Sequence, residues 1–236
     1  MDATERTAVV LLGGDPVDVD AHPRLPPADL VVAADSGVDQ ALRLGLRVDL
    51  AVGDFDSVSA AGLAAAEAAG TVIERHPMDK DATDAALALD AAIDRGATRI
   101  LVVGGGGGRL DHLLANVMLL AADRYAGAEI SAIGGGGARL HVVRRSARIT
   151  GEVGEMVSLI PVHGAASGVR TRGLRYVLDG ETLGPGTSRG VSNQLVEAEA
   201  CVELTGGVLL AVFPGPAPAP AIGPSPTDPR TPGAPS

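Results

Sequence analysis

Tryptophan is absent, and only two Phe and two Tyr are present, so any core must be built from Leu, Val, Ile and Ala. Hydrophobic residues make up 46% of the 236, enough for one large domain or two small ones with a sizeable aliphatic interior. A single cysteine, Cys201, excludes an internal disulfide and fits a reducing cytoplasm. No apolar run approaches the roughly 20 residues of a membrane span. The run Ala8 to Leu12, after a mixed-charge start, is too short for a signal peptide. Lysine is nearly missing as well: of nineteen Lys plus Arg, Lys80 alone is lysine. With a net charge of −10, the chain repels phosphate backbones, which argues against nucleic-acid binding. A nucleotide would need a cation to bind here. The histidines at 22, 76, 141 and 163 show no metal-ligand spacing, and no Ser-His-Asp or Cys-His set is visible.

What is present is a regular alternation. Ala8–Leu12, Leu30–Ala34, Leu50–Val52, Thr71–Ile73, Ile100–Val103 and Ile130–Ile133 read as short strands, apolar on both faces. Between them lie helical stripes, from Val38 to Leu44, Ser59 to Ala69, Asp81 to Arg95 and Leu110 to Met118, several stopped by glycine. This pattern predicts a parallel α/β sheet covered by helices on both sides, over residues 1–137. After Gly134–Gly137 the helical stripes end. Short apolar runs at Leu140–Val143, Val157–Ile160, Leu174–Leu178, Leu195–Leu204 and Val208–Phe213 follow one another between Gly and Pro. They predict a small all-β, sandwich-like domain over residues 138–213. Residues 214–236 hold nine of the sixteen prolines and read as a disordered tail.

The stretch Gly53-Asp54-Phe55-Asp56-Ser57 follows a predicted strand directly. Two carboxylates about 5 Å apart repel by about 3 kcal/mol at an effective dielectric near 20. A bound cation relieves that repulsion, and magnesium prefers hard oxygens plus substrate phosphates. Taken alone, the same residues also make an ordinary polar turn. Three further motifs fall at strand ends or at the helix starts that follow: Asp35-Ser36-Gly37, Lys80-Asp81-Ala82-Thr83-Asp84, and Gly107-Gly108-Arg109-Leu110-Asp111-His112. Each could be mere capping or turn chemistry. In an open α/β sheet, however, all four would share the rim where ligands bind. Asp54, Asp56 and Asp81 supply oxygens for magnesium. Lys80 and Arg109 supply cations for phosphate, and the amides of Gly107 and Gly108 open a helix that favours an anion. Together they form the equipment of phosphoryl transfer. No Gly-Lys-Ser or Gly-Lys-Thr follows the glycines, so this is not a Walker loop.

In this order and spacing, the four motifs resemble the catalytic domain of thiamine pyrophosphokinase. Ser158-Leu159-Ile160-Pro161, Gly173-Leu174-Arg175-Tyr176 and Gly190-Val191-Ser192-Asn193 resemble that family's thiamine-binding domain. The resemblance covers roughly Ala8 to Phe213. It implies a thiamine diphosphokinase in which the thiamine hydroxyl attacks the β-phosphorus of ATP, AMP leaves, and Mg2+ is the cofactor. It also implies a cytoplasmic homodimer whose thiamine site lies between the β domain of one subunit and the α/β domain of the other. Asp54, Asp56 and Asp81 would hold the metal and, with Asp111, carry catalysis. Asp35, Ser36, Gly37, Ser57, Lys80, Thr83, Asp84, Gly108 and Arg109 would line the nucleotide site. Asp111, His112, Tyr176, Ser192 and Asn193 would meet thiamine. Three features depart from the family pattern: Ser36 stands where Gly is usual, Gln194 where Glu is common, and the Pro-rich tail has no counterpart. The alternatives are the same chemistry on a pterin-like hydroxymethyl heterocycle, an Asp-x-Asp nucleotide-sugar glycosyltransferase, and a nucleotide-binding module without turnover.

Overall fold

A computed structural model describes residues 5–18, 25–79, 81–107 and 109–215. The expectations for Lys80, Gly108 and the tail beyond Gly215 lie outside the described residues. Within them the alternation appears as read. It runs β1 (Thr7–Leu11), β2 (Leu30–Ala34), α1 (Gly37–Arg43), β3 (Leu50–Gly53), α2 (Ala60–Ala68), β4 (Val72–Arg75), α3 (Asp84–Asp94), β5 (Arg99–Val103), α4 (Leu110–Leu120) and β6 (Glu129–Ile133). These six strands pair in parallel in the order β4-β3-β2-β1-β5-β6. The chain begins in the middle, winds out to β4, and then crosses back to β5. The reversal falls between β1 and β5, which is where a doubly wound sheet opens a crevice for ligands.

Burial on both faces explains the continuous apolar runs of β1, β2 and β3, whereas the edge strand β4 is largely exposed. Ala8, Val10 and Leu12 pack with Leu89, Ala88 and Ala92 of α3, while Val9 and Leu11 pack with Val38 and Ala41 of α1, Ala66 of α2, and Phe55. Alanine dominates these helix faces, so helix and sheet approach closely without bulky aromatics. Local signals set the helix starts. Ser59 Oγ accepts from Gly62 N at 2.9 Å and itself bonds Asp39 at 2.6 Å. The start of α3 is later than its sequence suggests. Thr83, not Asp81, is the N-cap, its Oγ accepting from Ala86 N at 3.2 Å.

The β-rich half comprises β7 (Arg139–Val143), β8 (Ser146–Thr150), β9 (Met156–Arg172), β10 (Asp179–Leu183), β11 (Asn193–Gln194), β12 (Glu199–Glu203) and β13 (Gly206–Phe213). β7 runs antiparallel beside β6, and the ladder continues through β13, β9 and β12 to β8. One sheet path thus runs from the α/β half into the β-rich half across the Gly134–Gly137 turn. A separate core of Val143, Ile149, Leu159, Val169, Val202 and Phe213 fills the β-rich half. Leu140, Val208 and Leu210 instead join the core beneath α3. The run Leu174–Leu178 is not a strand. Leu174 and Leu178 are buried, but the backbone there makes only a single bridge, Leu174 to Leu195. Among the described residues, no helix is long and apolar enough to cross a membrane.

Candidate active site

Strand order alone brings the first two acidic motifs together. β2 and β3 are neighbours, so Asp35 at the end of one lies beside Gly53-Asp54 at the end of the other, and Asp35 N donates to Val52 O at 2.9 Å. The start of α3 then carries Asp84 over the same rim. One oxygen from each of Asp35, Asp54 and Asp84 lies within 4.8 Å of the other two. Gly53 makes this possible. Its φ is 144°, and a Cβ there would sit 3.2 Å from Asp84 Oδ1 and 3.3 Å from Asp35 Cβ, so a side chain would wedge the carboxylates apart.

Phe55 explains the Asp-Phe-Asp spacing. It takes a left-handed backbone, φ 63°, and buries its ring in the core beneath α1 and α2. The Arg75 guanidinium covers that ring from 5.0 Å. Asp54 and Asp56 are left on the cleft wall on either side of the anchor. Repulsion from Asp54, with burial and the charges of Asp35 and Asp84, pushes the Asp56 carboxyl above its ordinary value. Asp35 is 8% exposed. Its Oδ2 accepts from the Ser57 hydroxyl, and its Oδ1 is buried with no hydrogen-bond partner among the described residues. Such an orphaned oxygen is costly to bury unless a cation faces it.

These groups wall a cleft of about 640 Å³, the size range of small-ligand sites. The facing wall is made of glycine. The turn after β1 (Gly13-Gly14) and the turn after β5 (Gly105-Gly106-Gly107) both line the cleft, zipped together by Gly105 N to Gly13 O at 2.8 Å and Asp15 N to Gly106 O at 2.9 Å. Arg109, His112 and Asn116 of the α4 segment close one side, and Asp81, Ala82 and Thr83 another.

Of the expected residues, Asp35, Ser36, Asp54, Asp56, Ser57, Asp81, Thr83, Asp84, Arg109 and His112 line this one cleft. The tight carboxylate cluster differs from the expected trio. It contains Asp54 but takes Asp35 and Asp84, whereas Asp56 and Asp81 lie on the wall outside it. Gly37 is not on the wall; its backbone packs against Leu11 O, where a Cβ would come within 2.2 Å. Asp111 is also off the wall. It faces solvent and takes a two-pronged bond from Arg109 (3.2 and 2.6 Å), which holds its carboxyl down at about 2. Gly13, Gly14 and Asn116 were not singled out from the sequence. Asn116 follows His112 by four residues and Arg109 by seven, the helical spacing that puts all three on one face.

The remaining expected residues sit elsewhere. Tyr176 and Asn193 border a shallow depression of about 370 Å³ with Thr187, Ser188, Arg189 and Val191. Asn193 is buried and bonds both backbone groups of Tyr176, accepting from its N at 2.9 Å and donating to its O at 2.8 Å. It thereby holds the Tyr176 ring outward, half exposed. Ser192 takes a left-handed backbone, φ 56°, and its N donates to Ser158 Oγ at 3.0 Å. Among the described residues, none lines both this depression and the acidic cleft.

A doubly wound sheet with carboxylates and glycine turns gathered at its switch point belongs to the class of α/β folds that bind ligands in the crevice outside their strand ends. Comparison with known proteins narrows that class. A family model described as "Thiamin pyrophosphokinase, catalytic domain" matches residues 22–132, and one described as "Thiamin pyrophosphokinase, vitamin B1 binding domain" matches residues 140–209. Thiamine pyrophosphokinase of Bacillus subtilis (strain 168) is 25% identical over 194 residues, 78% of this chain and 86% of that protein. A crystal structure of the Bacillus subtilis enzyme superposes with a TM-score of 0.78 at 24% identity, covering 90% of this chain and all of the other. That of a thiamin pyrophosphokinase family protein from Enterococcus faecalis gives 0.73 at 28% identity, covering 88% and 98%. The chain belongs to the thiamine pyrophosphokinase family.

Proposed function

We propose that this enzyme transfers the terminal diphosphate of ATP to the hydroxyl of thiamine, giving thiamine diphosphate and AMP, with Mg2+ as cofactor. The observation that carries this is the Asp35–Asp54–Asp84 cluster, in which Asp35 Oδ1 is buried with no partner among the described residues, facing paired glycine turns across one cleft. Three hard carboxylate oxygens suit magnesium and leave room for substrate phosphates in its coordination sphere. Asp35, Asp54 and Asp84 would hold the ion, with Asp56 and Asp81 beside them on the wall. The ion would supply charge for the triphosphate and polarise the phosphoryl oxygens.

The chain's own residues supply the rest. Backbone amides of the glycine turns and the Arg109 guanidinium suit the triphosphate. Lys80, by its place between Asp79 and Asp81 in the sequence, is assigned the same task. His112 stands at the cleft edge where an acceptor hydroxyl would approach, with Asp111 next to it in sequence. The N-terminal half, residues 1–137, is thus assigned to ATP and magnesium, and residues 138–213 to thiamine. Tyr176 offers a half-exposed ring for a flat cationic heterocycle.

Among the described residues the acidic cleft and the Tyr176 depression share no lining residue, and α4 exposes Leu110, Leu113, Leu114 and Met118 beside the cleft. A second copy of the chain, seated so that its β-rich half faces this cleft, would unite the two. The homodimer implied by the resemblance is therefore part of the proposal.

The test is acceptor competition. The protein with magnesium and ATP is offered thiamine and a hydroxymethylpterin together, and the products are separated by chromatography. Thiamine diphosphate as the main product is expected. A pterin diphosphate, or no phosphorylated acceptor at all, rejects the assignment.

A further inference from the structure

Helix α4 and its N-cap Arg109 carry four residues of the cleft wall (Arg109, His112, Ala115 and Asn116), yet only Val117, Leu119 and Leu120 seat the helix in the core. Leu120 alone is fully buried, with Val117 and Leu119 half-buried beside it. The C-terminal end of α4 is also held by side chains from the β-rich half. Arg144, in the turn between β7 and β8, donates from Nη2 to Ala121 O at 2.8 Å and to Ala122 O at 2.7 Å. His163, in β9, donates from Nε2 to Met118 O at 2.9 Å. A helix leaves its last carbonyls without partners, and a cation there also complements the helix dipole. Arg144 is well placed for both tasks, its side chain being only 18% exposed. His163 adopts a left-handed backbone, φ 58°, which a non-glycine residue holds only where its surroundings impose it. Just beyond the grip, Tyr125 is buried and bonds Asp90 of α3 at 2.8 Å. The far end of α4 is therefore pinned from two sides, about 16 Å of rigid helix away from Arg109.

We propose that Arg144 and His163 are positioning residues for the nucleotide side of the cleft. They act through α4, setting the place of Arg109, His112 and Asn116 against the glycine turns. Through them the β-rich half controls nucleotide affinity within its own chain. The proposal rests on the assignment of the cleft to ATP. Displacement of a binding group by about 1 Å can cost up to about a hundredfold. Arg144 also has a conservative stand-in, because a lysine can still donate to one of the two carbonyls.

The experiment compares wild type, Arg144→Ala and Arg144→Lys by steady-state kinetics and by amide hydrogen exchange across Leu114–Leu120. Arg144→Ala is expected to raise KM for ATP by about tenfold and to speed exchange in the last turns of α4. Arg144→Lys should recover most of the ATP affinity. A KM for ATP within about twofold of wild type in Arg144→Ala overturns the proposal, whatever kcat does. So does unchanged exchange in α4. If Arg144 served stability alone, active enzyme would be lost with KM for ATP unchanged. Wild-type protein that fails to phosphorylate thiamine would instead defeat the assignment of the reaction, and the exchange measurement would still decide the grip.

Discussion

Ser57 donates its hydroxyl proton to one carboxylate oxygen of Asp35 and leaves the other buried with no partner among the described residues. One oxygen of this carboxylate also lies within 4.8 Å of an oxygen of Asp54 and of one of Asp84. Three carboxylates this close repel. At about 5 Å and an effective dielectric near 20, each pair costs about 3 kcal/mol before solvent screening. Asp35→Asn should therefore raise the melting temperature of the metal-free protein and abolish the further rise that magnesium gives to wild type. Thermal melts of both proteins with magnesium and with chelator check this. Stabilisation of Asp35→Asn by magnesium equal to that of wild type would remove Asp35 from the metal site.

Gly53 is expected to resist even alanine. Its φ of 144° is one that side chains rarely adopt, and a Cβ 3.2 Å from Asp84 Oδ1 would press on that carboxylate. Backbone strain of this kind costs roughly 1–3 kcal/mol. Gly53→Ala should lose about that much in urea unfolding, and should lose turnover out of proportion because the carboxylates separate. Wild-type turnover in Gly53→Ala would show that the spacing of the cluster is not critical.

Phe55 is the anchor for both flanking carboxylates. Phe55→Ala should cost about 3–5 kcal/mol, as for other buried aromatics. Phe55→Leu should keep the fold and most of the activity, since it still fills the space beneath Arg75. Denaturant midpoints and turnover of the pair separate anchoring from chemistry. Equal loss of turnover in both would point to a role for the ring itself.

The half of the chain that proved easiest to read is the half whose signals are local. Apolar runs of four or five residues, each closed by a glycine or followed by a helical stripe, located β1 to β6 and α1 to α4 within a few residues. The β-rich half obscured its own elements. β9 is seventeen residues long, but Pro161, His163 and Gly164 interrupt its apolar pattern, so only Val157–Ile160 stood out. Leu174–Leu178 reads as a strand because its apolar ends, Leu174 and Leu178, are buried, although the segment is loop with Arg175, Tyr176 and Val177 exposed. The cleft was legible because its motifs sit at strand ends. The membership of the carboxylate cluster was not, because Asp35 meets Asp84 only through the order of β2 and β3 and the late start of α3.

His141 offers a test by pH. Burial, and the neighbouring Arg139 charge, lower its imidazole below the ordinary value near 6.5. Below that value the unfolded chain takes up a proton that the folded protein resists. The stability His141 confers is therefore present above about pH 6.5 and lost as pH falls through the folded value. The urea midpoint of wild type should decline over that range more steeply than that of His141→Gln. Parallel declines would show that His141 is not the group responsible.

The most direct test of diphosphate transfer is phosphorus NMR of the protein with magnesium, ATP and thiamine. Thiamine diphosphate and AMP should rise together in equal amounts as ATP falls. Nothing should move without thiamine, and nothing should move with Asp54→Asn. Formation of ADP with thiamine monophosphate or free phosphate would contradict transfer of the diphosphate as a unit.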